Sequence, residues 1–161
     1  MLFAFTLLHV ALSLIGIGSG FVVVYGLLTS KRYEGWTRLF LITTVATSAT
    51  GLLFPVHKVM PSHVVSILSL LVLATGILAR YRFRLAGRWR RTYAIAAVIA
   101  LYFNVFVLIA QLFQKVPTLK ALAPTQSEPP FQLAELTVLA IFTLLAVRSA
   151  MKFRAEPLHA A

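Results

Sequence analysis

From Leu2 to Leu28 the chain carries no charged side chain. As an α-helix such a run is about 40 Å long and apolar all round, which suits a lipid bilayer rather than a small aqueous core. Four more apolar runs follow, Leu39–Val56, Ser62–Ala79, Thr92–Phe113 and Phe131–Val147. The shortest lies near the lower limit of about 17 residues for crossing the hydrocarbon layer. The second and third runs are separated only by Pro55–Pro61. Each proline removes a backbone donor and obstructs the preceding turn, so a tight antiparallel hairpin is expected rather than one long helix. The expected fold is all-α, a polytopic membrane bundle of about five transmembrane helices in a single domain over residues 1–161.

Charge sets the expected direction of the chain. Charged residues make up 12% of the sequence, against about 25% in soluble domains. The net charge of +11 lies between apolar runs and not in a separate basic domain, so nucleic acid is not the expected partner. Lys31, Arg32, Arg38, Arg80, Arg82, Arg84, Arg88, Arg90, Arg91, Arg148, Lys152 and Arg154 fall on one side of the spans. Only Lys58, Lys115 and Lys120 fall on the other. Short basic loops stay cytoplasmic, which places the C-terminus inside and the N-terminus outside a bacterial-type inner membrane. Tyr25, Tyr33, Trp36, Tyr81, Trp89 and Tyr93 gather at the same boundary, where amphipathic rings settle. The first run lacks the basic leader of a signal peptide and reads as a retained helix.

Gly16 and Gly20 form a small-xxx-small pair suited to close helix contact. Thr43, Thr44, Thr47, Ser48, Thr50 and Gly51 support two readings: packing with hydroxyls bonded back to their own helix, or the lining of a polar cavity. Arg80, Arg82, Arg84, Arg88, Arg90 and Arg91 are expected at anionic lipid headgroups, each worth about 1 kcal/mol there. The absence of cysteine removes thiol nucleophiles, disulfides and iron–sulfur ligation. No nucleophile–base–orienter set is visible, so covalent catalysis is the least supported activity.

The polar residues expected within the bilayer are unevenly spread. Counted from the outer surface, His9 lies ~10 Å deep and Glu135 ~6 Å deep. His57 and His63 bracket the outer hairpin, and Asn104 and Gln111 occupy the outer half of the fourth span. An ionisable group at such depth is costly unless it is paired or hydrated, which makes these residues a candidate binding site. A Glu135–His9 pair would exchange protons. Two imidazoles from facing helices would also suit haem b, although the depths of His9 and His63 differ by ~7 Å. A metal held by His9, His57, His63 and Glu135 has suitable ligand types but no recognised local spacing. The outer loop Lys115–Pro130 reads either as a lid with Val116, Leu119 and Leu122 on one stripe, or as a solvated connector.

Three functions follow as expectations. The first is a pocket for an amphipathic ligand (quinone, lipid or haem b) associated with electron transfer. The second is a structural or assembly subunit of a homo-oligomer or larger membrane complex. The third is a small transporter or channel, which the lack of repeats and broken helices disfavours.

Overall fold

A computed structural model describes residues 2–54 and 61–154, and these contain helices and connections but no strand. The helices are α1 (Leu2–Leu28), α2 (Glu34–Leu52), α3 (Pro61–Ile77), α4 (Trp89–Lys115), α5 (Pro117–Leu122) and α6 (Pro129–Lys152). A π-helical turn, Leu78–Arg82, continues α3. Among the described residues, four segments are long and apolar enough to cross a membrane: Phe3–Leu28, His63–Arg82, Trp89–Lys115 and Pro129–Lys152. The expected fifth, α2, is 19 residues long but begins with Glu34, carries Arg38 in its second turn and adds the threonine and serine run, which together lower its hydropathy. Pro55 to Met60, where the hairpin turn is expected, lies outside the described residues.

α4 is the hub of the bundle. α1, α3 and α6 all pack on it, while α2 packs chiefly between α1 and α3. Small side chains make the hub possible. Ala94, Ala97, Ala100 and Leu101 of α4 are buried beside Val23, Val24, Phe40 and Leu73. A Cβ on Gly20 would stand 2.6 Å from Leu101 Cδ1 and 2.9 Å from Phe40 Cε2, so this glycine is what lets α1 approach α2 and α4. Gly18 faces open space. α4 and α6 run antiparallel with an aromatic seam. Phe113 meets Phe131, Tyr102 meets Phe142 and Tyr93 meets Phe153, at ring-centroid distances of 5.4, 5.8 and 6.2 Å.

The helix ends are held by specific hydrogen bonds. α1 closes with Lys31 N–H donating to Gly26 C=O at 2.8 Å and Ser30 N–H to Leu27 C=O at 3.4 Å. That is a Schellman closure with Ser30, at φ 56°, where glycine is usual. Ser30 Oγ in turn accepts from the Arg154 N–H at 2.9 Å. The loop Lys115–Pro130 is ordered. α5 packs on α4, Gln126 Nε2 donates to Ala110 C=O at 2.6 Å, and Ala123 is fully buried. Val116 and Leu119 are half-buried while Leu122 is exposed, so the expected stripe is only partly covered.

Candidate functional site

His9 is held by α2. Its Nδ1 lies 2.8 Å from Thr50 Oγ1, and its ring meets Phe54 edge-on at 5.1 Å. Gly51 leaves room for this contact. A Cβ there would lie 2.7 Å from Ser66 Oγ and 3.6 Å from His9 Cε1. α1, α2 and α3 therefore converge on His9, Thr50 and Ser66. His63, one turn before Ser66 on α3, has a buried Nδ1 with no partner among the described residues. His57 lies outside the described residues.

Deeper in the bundle, Asn104 Nδ2 donates to Thr44 Oγ1 at 3.4 Å. A Cβ on Gly16 would lie 3.2–3.3 Å from Thr44, Thr43 and Asn104. Ser48 Oγ donates to Ser69 Oγ at 2.9 Å, joining α2 to α3. Thr43, Thr47 and Thr50 donate back to the carbonyls of Leu39, Thr43 and Ala46 at 2.7–2.8 Å. The packing reading of the hydroxyl run accounts for these bonds, since back-bonding satisfies the hydroxyls inside the helix. Below them, fully buried Phe40 and Leu101 close the core against Gly20.

Glu135 stands apart from His9. It lies on the α4–α6 seam, one turn inside the Phe113–Phe131 contact, and is 9% exposed. Neither carboxylate oxygen has a hydrogen-bond partner among the described residues. Asn104 bonds to Thr44 instead, and Gln111, half-buried on α4, makes no hydrogen bond to Glu135. A turn further along α6, Leu139 opens an apolar groove of about 430 Å³ between α4 and α6. Its walls include Ile99, Tyr102, Phe103, Phe142 and Val147. The volume is in the range of about 300–1,000 Å³ usual for small-molecule sites. Tyr102 in its wall is within electrostatic reach of Glu135.

A third polar centre occupies the opposite, basic end. Arg80, which reads in sequence as one of six headgroup-facing arginines, is 1% exposed. The π-helical turn brings its guanidinium inward, where it donates to Glu34 at short range. It sits between the rings of Tyr93 and Tyr81, 5.3 and 5.6 Å from their centroids. Glu34 is the signal available in the sequence: an isolated acid in a basic loop invites an arginine partner. The remaining loop is built around a flat stack of Phe83 on Trp89, 3.8 Å apart, with Arg82 over Phe83. Arg82, Arg84 and Arg88 are exposed, Arg91 is exposed, and Arg90 is partly covered.

No group of three or more His, Asp or Glu residues suited to a metal ion occurs among the described residues. No protein-family model matches the chain, and no curated protein or solved structure is detectably similar to it. The residues and the fold define an all-helical membrane-type bundle with three separate polar centres, at His9 and Asn104, at Glu135, and at Arg80 with Glu34.

Proposed function

We propose that this chain is a small multi-pass membrane protein that binds an amphipathic ligand, a quinone or a lipid, on the α4–α6 seam. The apolar tail lies in the groove and a hydrogen-bond-donating head, the quinol form of a quinone or a lipid hydroxyl or ammonium, meets Glu135. The observation that carries this reading is Glu135 itself, buried and without a hydrogen-bond partner among the described residues, one turn from the groove's end. A carboxyl at membrane depth costs several kcal/mol unless something partners it, and a ligand hydroxyl or ammonium supplies that partner. From Glu135 to Val147 the helix rises ~18 Å, which sets the length of tail the seam accommodates. His9 and His63, on α1 and α3, belong to a different polar cluster and support a haem less directly. Electron transfer enters only through a quinone as the ligand. The five-span topology, with the N-terminus outside a bacterial-type inner membrane and anionic lipid at Arg82, Arg84, Arg88 and Arg91, belongs to the same proposal.

The test is mass spectrometry of the extract from protein purified in mild detergent. A stoichiometric amphipathic molecule is expected. Glu135→Gln and Ala146→Phe, the latter filling the groove away from Glu135, should each lower its retention about tenfold, as loss of a charge-assisted hydrogen bond or a tail site would. Equal ligand content in all three proteins, each shown to be helical and monodisperse, would refute the proposal.

An assembly subunit is the second reading. It is favoured by α6, the least covered of the four long helices, whose Leu133, Leu136, Leu144 and Met151 all face outward. A stoichiometric protein partner co-purifying from native membranes would support it. A channel is disfavoured by the closure at Phe40, Leu101 and Gly20.

A further inference from the structure

The small cavity at the basic end is lined by Thr37, Lys31, Arg32, Tyr33, Arg80 and Tyr93, with Val23, Leu27 and Phe153 as its apolar wall. Its enclosed space, about 10 Å³, admits one oxygen-sized atom, and it opens toward the surface beside exposed Lys31. Two of its lining groups are more than nine-tenths buried and incompletely bonded. Arg80 is 1% exposed, and its Nε has no hydrogen-bond partner among the described residues. Tyr93 is also 1% exposed, and its hydroxyl, though near the Thr37 side chain, completes no hydrogen bond among the described residues. A guanidinium carries five N–H donors; Arg80 gives one to Glu34 and has the Tyr81 side chain within reach, which leaves Nε unbonded among the described residues. Buried donors left unbonded are unfavourable, and both residues line this one cavity, so an acceptor placed in it would satisfy them.

We infer that this cavity is an oxyanion site for a phosphate group. One phosphate oxygen enters to accept from Arg80 Nε and the Tyr93 hydroxyl, while the remaining oxygens stay at the mouth beside Lys31. The charge balance agrees with this. Glu34 neutralises Arg80, and Lys31 at the mouth faces the anion. Arginine suits the role because its planar fork can hold a carboxylate and a phosphate oxygen from different edges. The shared chemistry has two sources, the headgroup of an anionic phospholipid and free phosphate. The basic end of a membrane bundle offers both.

The site is separate from the α4–α6 groove, so its test leaves Glu135 and the groove intact. The protein is purified in an uncharged maltoside detergent, and its thermal midpoint is followed against inorganic phosphate at constant ionic strength. In parallel, native mass spectrometry follows phosphatidylglycerol retained from mixed phosphatidylcholine nanodiscs. Tyr93→Phe keeps the ring over Arg80 and removes only the hydroxyl. Lys31→Gln removes a mouth charge, and Arg88→Gln removes an equal charge outside the cavity. Stabilisation by phosphate that Tyr93→Phe and Lys31→Gln weaken about tenfold, and Arg88→Gln does not, establishes the site with free phosphate as a sufficient ligand. Selective loss of phosphatidylglycerol retention with no phosphate effect establishes it with the headgroup as source. Equal responses from wild type and Tyr93→Phe, or an equal loss in Arg88→Gln, would reduce the effect to surface charge and overturn the inference.

Discussion

His9 donates to Thr50 through Nδ1. The Thr50 hydroxyl has a single proton, and it is already placed toward the Ala46 carbonyl at 2.7 Å, so toward His9 it is the acceptor. This pairing favours the ring form with its proton on Nδ1. Thr50→Val should free the ring and cost roughly 0.5–1.5 kcal/mol, the range for an interhelical hydrogen bond in a membrane bundle. The expected signature is a mixture of tautomers in the nitrogen shifts of His9. Unchanged shifts and stability would show that Thr50 does not orient the ring.

Glu34 stabilises the bundle mainly by answering a charge that is itself buried. Its side chain is half exposed while that of Arg80 is 2% exposed, so removing each partner has a different consequence. Glu34→Gln leaves a buried guanidinium uncompensated. Discounted for the solvent reaching Glu34, the loss should be about 1–3 kcal/mol. Arg80→Met, which keeps the stem and removes the charge, should cost less, and combining the two should add little. Unfolding of the four proteins in a double-mutant cycle measures this, and additive losses would show that the pair is not coupled.

Gly20 and Gly18 should respond in opposite ways to the same methyl group. Gly20→Ala drives a Cβ into Leu101 and Phe40 and should cost about 1–3 kcal/mol through overpacking. Gly18→Ala meets nothing and should be neutral or slightly stabilising through helix propensity. Thermal midpoints of the two variants in one detergent decide this, and equal shifts would place the close approach of α1 elsewhere.

Glu128 gives the outer loop a pH dependence. Slight desolvation would raise its pKa, but hydrogen bonds from the Thr125 hydroxyl and from the Thr125 and Ser127 amides outweigh this and hold it below the usual carboxylate value. A depressed folded pKa stabilises above the unfolded value and is lost as pH falls through the folded one. Amide exchange at Thr125 and Ser127 should therefore be slow at neutral pH, after correction for intrinsic rates, and quicken only in acid below the ordinary glutamate range. Glu128→Gln should abolish the dependence, and a midpoint above that range would contradict it.

The lack of cysteine makes sidedness directly measurable. Single substitutions Ser127→Cys and Arg88→Cys place thiols at opposite ends of the bundle. In intact cells a membrane-impermeant maleimide should label Ser127→Cys and spare Arg88→Cys until the membrane is opened. The reverse pattern would invert the proposed topology.

The helices were largely legible because apolar runs and basic loops report membrane and solvent directly. α1 follows its charge-free run, and α4 and α6 extend only a few residues past theirs. α2 was not, since it begins at Glu34 rather than Leu39 and its threonines lower its hydropathy. The π-helical turn has no signature in hydropathy, so Arg80 resembles its loop neighbours although it lies inside. Helix neighbours were equally hidden. His9 and Glu135 share a depth range in sequence, but α1 gives His9 to α2 while α6 sets Glu135 against α4. Which face meets which helix depends on side-chain fit, as at Gly16 and Gly20, and residue type alone does not encode it.

The Arg154–Ser30 hydrogen bond joins positions 124 residues apart. It turns a serial row of helices into a closed loop of chain, fastened where the first helix ends and the last one finishes. α1 to α4 can pack as they are made, but this fastening awaits the synthesis of α6 and the two residues that follow it. Helical proteins ordinarily fold fast because their contacts are local, and non-local closure is slower. The final step of assembly should therefore be the docking of α6 with Phe153 and Arg154, and ribosome-bound chains stopped before residue 150 would expose the buried surface that this step covers.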